Sequence, residues 1–199
     1  MLKKISLIFG SKTKAEEILY LLNNKKKVVR QGFYESELWK IEKFCQENGL
    51  CIAKSKFKVL LADTSEAGQY SNKGIRVPAH DPREGMYFVY ISKEEQKSWL
   101  AAYYELMNND NDLGILLGYP QCCVEFFCKR FTPDNPNLQL NPTNTYTNLT
   151  KRNEDCVLLS HFPCHSECPE SIRMARENYF LIKEIDEERA KEIIDKLRV

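Results

Sequence analysis

Two stretches in the second half of the chain fix where its helices begin: GYPQCCVEFF at residues 118–127 and SHFPCHSECPES at residues 160–171. Each combines cysteines with a proline that fits the first turn of a helix, where the missing N–H group of proline would have no partner. A proline inside a helix would clash with the preceding turn, so neither helix can begin much earlier. The sequence therefore predicts helices from Pro120 to about Arg130 and from Pro169 to Ile185.

The cysteines of these two stretches are predicted to bind a metal ion. They stand at the positive end of a helix, where the helix dipole and free N–H groups favour the thiolate form that metals bind. The chain has eight cysteines, six of them between positions 122 and 168. In a reducing compartment, clustered cysteines more often bind metal or do redox chemistry than form disulfides. The expected cofactor-binding residues and metal ligands are Cys122, Cys123, Cys164 and Cys168, with His161 or Cys156 as alternative fourth ligands.

Helical geometry predicts unequal roles for the tandem cysteines, because neighbouring residues of a helix point about 100° apart. One of Cys122 and Cys123 is expected to face a single ion easily, and the sequence does not decide which. His161 is expected to lie beside the ion rather than to bind it directly. A ligand so close to Cys164 in the sequence would require the chain to fold back tightly around Pro163. Beside the ion, His161 would donate a hydrogen bond to a thiolate or act as an acid–base group.

Other candidate groups give weaker signals. Cys45, Cys51 and Cys128 are predicted to be small core residues. His80 and Asp81 lie next to each other in a polar loop, where a carboxylate can orient an imidazole for acid–base chemistry. Adjacent side chains seldom make that contact, so a polar surface turn is the favoured interpretation. The candidate catalytic residues are His161, His80 and Asp81.

The sequence leaves the metal and the function open. All-thiolate and thiolate–imidazole sites suit both zinc and iron–sulfur clusters. One hypothesis is a metal-dependent or iron–sulfur enzyme that acts on a small sulfur compound or a nucleotide. A second is a non-catalytic protein that has a structural zinc ion and binds protein or RNA. A third is a metal-free thiol redox protein that uses one of the two cysteine pairs.

The motif formed by the two stretches resembles that of a known family. Gly-Tyr-Pro-x-Cys-Cys, followed about forty residues later by His-x-Pro-Cys-x-x-x-Cys-x-x-Ser, is similar to the pattern of archaeal and bacterial proteins known only as domain of unknown function 483. The resemblance covers about residues 113–179 and implies a shared cysteine site without an established activity. The matching residues are Gly118, Tyr119, Pro120, Cys122, Cys123, His161, Pro163, Cys164, Cys168 and Ser171.

The remaining sequence predicts an α+β protein. Residues 1–92 are expected to form a small mixed sheet with helices, and residues 93–199 a mostly helical part that carries the cysteines, together one compact unit. Predicted strands lie at residues 2–9, 28–29, 50–53, 57–62, 75–77, 86–91 and 156–160. Two further helices are predicted to begin at the N-cap residues Thr13 and Ser92. Three more are predicted at residues 35–47, 112–117 and 186–197. Residues 131–155 are expected to be irregular.

The charge and hydropathy of the chain do not favour a general nucleic-acid-binding protein or a membrane protein. The formal charge is +1, so no overall field attracts nucleic acid, although the basic residues at 25–30 leave local binding open. No apolar stretch is long enough to span a membrane, and the apolar run at residues 5–9 is too short for a signal peptide. We expect a cytoplasmic protein without membrane contact, with a small-molecule substrate if it is an enzyme.

Overall fold

An antiparallel sheet of three strands organises the N-terminal half of the computed structural model, which describes residues 1–61, 74–132 and 134–199. The strand order is β1-β5-β2, and β3 pairs with β4 in a separate hairpin. The α+β prediction is confirmed, but the described strand pairs are all antiparallel, so the sheet is not mixed. The strands are β1 (Val28–Phe33), β2 (Cys51–Lys54), β3 (Phe57–Leu61), β4 (Gly74–Pro78) and β5 (Tyr87–Ser92).

Helices cover both faces of the three-stranded sheet. Val89 and Ile91 of β5 pack with α1, α2 and α3, whereas Tyr90 between them packs with α4 and α5. This division follows from the strand geometry, because successive side chains point to opposite faces. The helices are α1 (Leu2–Phe9), α2 (Lys12–Leu22), α3 (Glu35–Glu47), α4 (Glu95–Leu106), α5 (Asp110–Leu116), α6 (Gln121–Arg130), α7 (Pro169–Ile185) and α8 (Glu187–Leu197).

Two predicted strands are wrong. Residues 2–9 form the helix α1, because Leu2, Ile5 and Phe9 share one helical face and are buried against the core. Residues 156–160 form no strand; they cross the C-terminal core as irregular chain, with the side chains of 156–159 buried. The start of α2 also differs, since Ser11 rather than Thr13 accepts the hydrogen bond from the backbone N–H of Lys14.

The predicted helices of the second half are present within a few residues of the expected bounds. Of residues 131–155, those that the structure describes are largely irregular, with short 3-10 turns at 145–147 and 152–154. A second core lies among α7, α8 and the irregular segment, and Tyr20 of α2 contributes to it. Gly114 in α5 packs so closely on α6 that a Cβ there would lie 2.8 Å from Cγ2 of Val124. The contact fixes the position of α6.

Buried polar contacts join the two halves of the chain. Arg189 of α8 donates to Glu16 of α2 at 2.6 Å, and both side chains are almost fully buried. Lys26 donates to Glu17 and to the hydroxyl of Ser160, both at 2.6 Å. In addition, α4 packs on strands β2 and β5. Within the described ranges, no helix is long and apolar enough to cross a membrane.

Candidate metal centre

The N-terminal ends of α6 and α7 meet, and four cysteines converge there. Cys122 and Cys123 lie in the first turn of α6, Cys168 is the N-cap residue of α7, and Cys164 lies in the loop before it. The four sulfur atoms all lie within 4.8 Å of one another. The structure thus brings together the four cysteines that the sequence predicts as ligands.

The spacing of the sulfur atoms fits a single ion. Cys122, Cys123 and Cys168 form a triangle with Sγ–Sγ distances of 3.9, 3.8 and 3.7 Å. A tetrahedral zinc ion with Zn–S bonds of about 2.3 Å places its sulfurs about 3.8 Å apart. The cluster therefore has both the donor atoms and the dimensions needed to hold a metal ion.

Both tandem cysteines face this cluster, contrary to the expectation that only one of them does so easily. The cluster lies beyond the end of α6 rather than beside it. Side chains of a helix lean toward its N-terminus, so first-turn residues that point in different directions still converge past the helix end. The Sγ atoms of Cys122 and Cys123 are 3.9 Å apart, close enough to share one ion.

The cluster has a buried side and an exposed side. Cys123 and Cys168 are only 2% and 1% exposed, whereas Cys122 is exposed and Cys164 is half-buried. On the buried side, Cys123 Sγ lies 3.2 Å from the hydroxyl of Ser171 and accepts a hydrogen bond from the backbone N–H of Cys164 at 3.4 Å. These donors suit a thiolate, which only accepts hydrogen bonds.

His161 stands behind the cluster rather than within it. Its Nε2 lies 2.9 Å from the oxygen of the Ser171 hydroxyl. If the hydroxyl donates its proton to the sulfur of Cys123, the same oxygen accepts a hydrogen bond from the Nε2–H group of His161. Burial, followed by the charges of Lys26 and Arg152, lowers the pKa of His161 to about 3, so the imidazole is neutral. Its other nitrogen, Nδ1, has no hydrogen-bond partner among the described residues.

The cysteine environments shift their pKa values in different directions. Burial raises the pKa of Cys123 well above its ordinary value and that of Cys164 to about 11. Burial also raises the pKa of Cys168, but hydrogen bonds from the side chain and backbone of Ser171 outweigh it and bring the value to about 7. A metal ion must therefore displace protons from Cys123 and Cys164 at neutral pH.

Comparison with known proteins places this site within a family. The model of a family described as "Protein of unknown function (DUF483)" matches residues 98–197, which include every residue of the cluster. The chain belongs to this family. No curated protein and no solved structure matches the chain significantly.

The structure explains the Gly-Tyr-Pro segment in the DUF483 region. Gly118 has a φ angle of 81°, in the left-handed region, and it ends α5, where the N–H of Tyr119 donates a hydrogen bond to the carbonyl of Gly114. The ring of Tyr119 then packs on His161 with centroids 5.0 Å apart. Pro120 follows as the N-cap of α6. The segment therefore turns the chain and aims the tandem cysteines at α7.

Two residues near the cluster were given no role from sequence. Ser171 and Tyr119 belong to the motif, but only the structure shows their contacts. Ser171 contacts Cys123, and Tyr119 packs on His161. The position of Ser171 in the sequence does give one indication that it lies near the cluster. A residue three positions after the N-cap Cys168 lies in the first turn of α7, close to anything bound at that end.

The remaining candidates lie elsewhere. Cys156 is buried in the C-terminal core and accepts a hydrogen bond from Arg189 at 3.4 Å, so it is not part of the cluster in this structure. The carboxylate of Asp81 accepts from the guanidinium of Arg83 at 2.9 and 2.8 Å and is held by it rather than by His80.

The three cysteines predicted for the core have different environments. Cys45 is buried and Cys51 half-buried, but Cys128 is exposed, so its assignment to the core is wrong. Cys128 lies on the same face of α6 as Val124, one turn nearer the C-terminal end of the helix, but only Val124 is buried, where it packs against Gly114 of α5.

Proposed function

We propose that Cys122, Cys123, Cys164 and Cys168 bind one zinc ion, and that this ion joins the N-terminal ends of α6 and α7. The observation that carries the proposal is the sulfur triangle with sides of 3.7 to 3.9 Å, which matches a tetrahedral tetrathiolate site. Zinc commonly closes structural sites of this kind, and the binding energy contributes directly to folding.

The same spacing disfavours an iron–sulfur cluster. In a cluster with several irons, thiolates bind different iron atoms and stand farther apart than they do around one ion. Here, three sulfurs are already in contact with one another. The cysteines of the DUF483 region therefore suit a mononuclear site better than a cluster. Because such a site needs reduced thiols, we also propose that the protein works in the cytoplasm.

The proposed zinc ion would hold together two helix ends that carry charges of the same sign. The first turn of α6 and the N-cap of α7 carry the ligands, and both helix ends are positive. Without a counter-charge these two ends would repel each other. Four thiolates at the junction reverse the sign of the local charge and hold the helices together around the ion.

Elemental analysis tests this proposal. We expect the full-length protein, purified without oxygen, to be colourless and to contain one zinc ion per chain. Replacement of zinc by cobalt should give the intense visible absorption of a tetrahedral tetrathiolate site. Iron with acid-labile sulfide, or metal-free protein with four titratable thiols at the cluster, would contradict the proposal.

A pair of variants separates the cluster from general effects of cysteine loss. Cys168→Ala should remove the metal, because Cys168 contacts both tandem cysteines. Cys128→Ala is the matched control, since this cysteine is exposed on α6 outside the cluster. Equal zinc content in the two variants would rule out the proposed ligand set.

A further inference from the structure

The exposed side of the four-cysteine cluster presents one sulfur to solvent. Cys122 is exposed, yet its Sγ lies 3.9 Å from Cys123 and 3.8 Å from Cys168, both of which are buried. An ion held by these residues would be shielded from solvent on one side only. A small molecule that approaches from solvent therefore meets Cys122 first.

The hydrogen bonds of the cluster are distributed unevenly. Cys123 has contacts to the hydroxyl of Ser171 and the N–H of Cys164, and Ser171 also bonds to Cys168. Among the described residues, Cys122 has contacts with other sulfur atoms but receives no hydrogen bond from an N–H or O–H group. A hydrogen bond draws charge away from a thiolate, so the Cys122 sulfur is more electron-rich than that of Cys123. Cys164 receives no such hydrogen bond among the described residues either, and its lower exposure separates it from Cys122.

We propose that Cys122 is a nucleophile toward small alkylating electrophiles, a class of substrate with a saturated carbon and a leaving group. The inference rests on the proposed zinc site, because cysteine binds zinc as the thiolate, which is also its nucleophilic form. Four thiolates around a dication also leave excess negative charge, which favours attack on neutral or cationic alkyl donors.

The reaction is a single displacement. The Cys122 sulfur donates an electron pair to the saturated carbon and forms an S–C bond. The bond between that carbon and the leaving group breaks, and the leaving group departs with the bonding electrons. With methyl iodide the products are S-methylcysteine at position 122 and iodide. No oxidant, reductant or proton transfer is needed, and the negative charge of the cluster falls by one.

Steric access distinguishes Cys122 from the other ligands. Displacement needs an in-line approach of sulfur, carbon and leaving group, which an exposed side chain permits. Cys123 and Cys168 are 2% and 1% exposed and cannot accept such an approach without local opening. Cys164 is half-buried and is the internal competitor. The proposal therefore predicts an order of reactivity within one cluster.

Competitive alkylation tests the proposal. The zinc content of the full-length protein is measured first, and less than one equivalent of methyl iodide is then added. Peptide mass spectrometry gives the rate of methylation at each cysteine. We expect Cys122 to react at least about tenfold faster than Cys164, with zinc retained, because a thioether and three thiolates remain at the cluster.

The exposed Cys128 serves as an internal control that is not part of the cluster. Cys128 reports the rate for an exposed thiol that binds no metal, and the zinc-bound thiolate of Cys122 should be methylated faster than this thiol. Protein that contains no zinc would overturn the proposed zinc site and this inference together. Zinc-containing protein in which Cys164 reacts as fast as Cys122, or in which Cys122 reacts no faster than Cys128, would overturn the inference alone.

Discussion

The hydroxyl of Ser171 lies 3.2 Å from the sulfur of Cys123, and both side chains are buried beneath the four-cysteine cluster. The serine connects this sulfur to His161, whose Nε2 lies 2.9 Å from the same hydroxyl. The proposed ligand Cys123 is thus supported by two residues outside the proposed ligand set. Partners of this kind orient ligands and tune their affinity for the ion.

Ser171→Ala should lower zinc affinity about 10- to 100-fold while leaving one zinc ion per chain at saturation. The reason is the loss of a hydrogen bond to the Cys123 thiolate, with all four sulfurs retained. Competition with a chromophoric chelator measures the change. Ser166→Ala is the matched control, because Ser166 lies in the loop just before α7 and donates its hydrogen bond to the carbonyl of Asn141, away from the cluster. Equal affinities of the two variants would contradict this role of Ser171.

His161→Leu should also retain the zinc ion but weaken its binding, since Ser171 would lose the donor that orients its hydroxyl. His161→Gln keeps a side-chain N–H group and should lie closer to the wild-type affinity. The effects of His161→Leu and Ser171→Ala should not add, because both changes break one chain of hydrogen bonds. Loss of zinc as complete as in Cys164→Ala would instead make His161 a ligand.

Single substitutions of the cysteines should have graded effects. Cys123→Ala should abolish stoichiometric zinc binding, because this sulfur is buried and no solvent can replace it. Cys122→Ala should retain zinc with reduced affinity, because water can occupy the exposed fourth position. Zinc analysis after dialysis against a weak chelator measures the difference. Complete loss in both variants would show that exposure does not distinguish the two ligands.

Zinc binding should release protons at neutral pH. The pKa of Cys123 is raised well above its ordinary value and that of Cys164 to about 11, so both are protonated in metal-free protein at pH 7. Protons therefore compete with the metal, and affinity should increase as pH rises through the neutral range. Calorimetry in buffers of different ionisation enthalpy counts the protons. Release of fewer than two would contradict the prediction.

Arg189→Met should reduce the free energy of unfolding by about 3–5 kcal/mol, because Glu16 would remain buried without its partner. The two side chains are 2.6 Å apart and almost fully buried. Adding Glu16→Leu to Arg189→Met should recover much of the loss, since an apolar pair of similar size can replace a buried ion pair. Urea unfolding of the single and double variants measures both effects. A double variant less stable than Arg189→Met would contradict this account.

The sequence specifies the cluster better than it specifies its surroundings. Pro120 and Pro169 mark the starts of two helices, and cysteines beside both prolines predict that these ends meet at one site. The contact between Ser171 and Cys123 depends on how α6 and α7 approach each other, which neither local sequence encodes. The exposure of Cys128 likewise depends on how far along α6 the neighbouring elements extend, because Val124 on the same face is buried.

The N-terminal helix α1 shows another limit. Leu2, Ile5 and Phe9 have helical spacing, but the segment is so short that its apolar residues also fit an alternating strand pattern. Isolated helices of this length are marginal in water, so packing of these side chains against the core decides the structure. That packing involves partners far along the chain, such as Phe33 and Phe44, which both contact the ring of Phe9.

The separation of the cysteines along the chain gives the proposed ion a topological role. Cys123 and Cys164 are 41 positions apart, and the largely irregular chain at 134–155 lies inside the loop that they close. In the simplest model, a cross-link that closes such a loop lowers the conformational entropy of the unfolded chain, which stabilises the folded protein by about 4 kcal/mol. The cost of closing a loop rises by only about 0.6 kcal/mol when its length doubles. Insertions within residues 134–144 should therefore change stability little, whereas chelation should open the same segment to proteases.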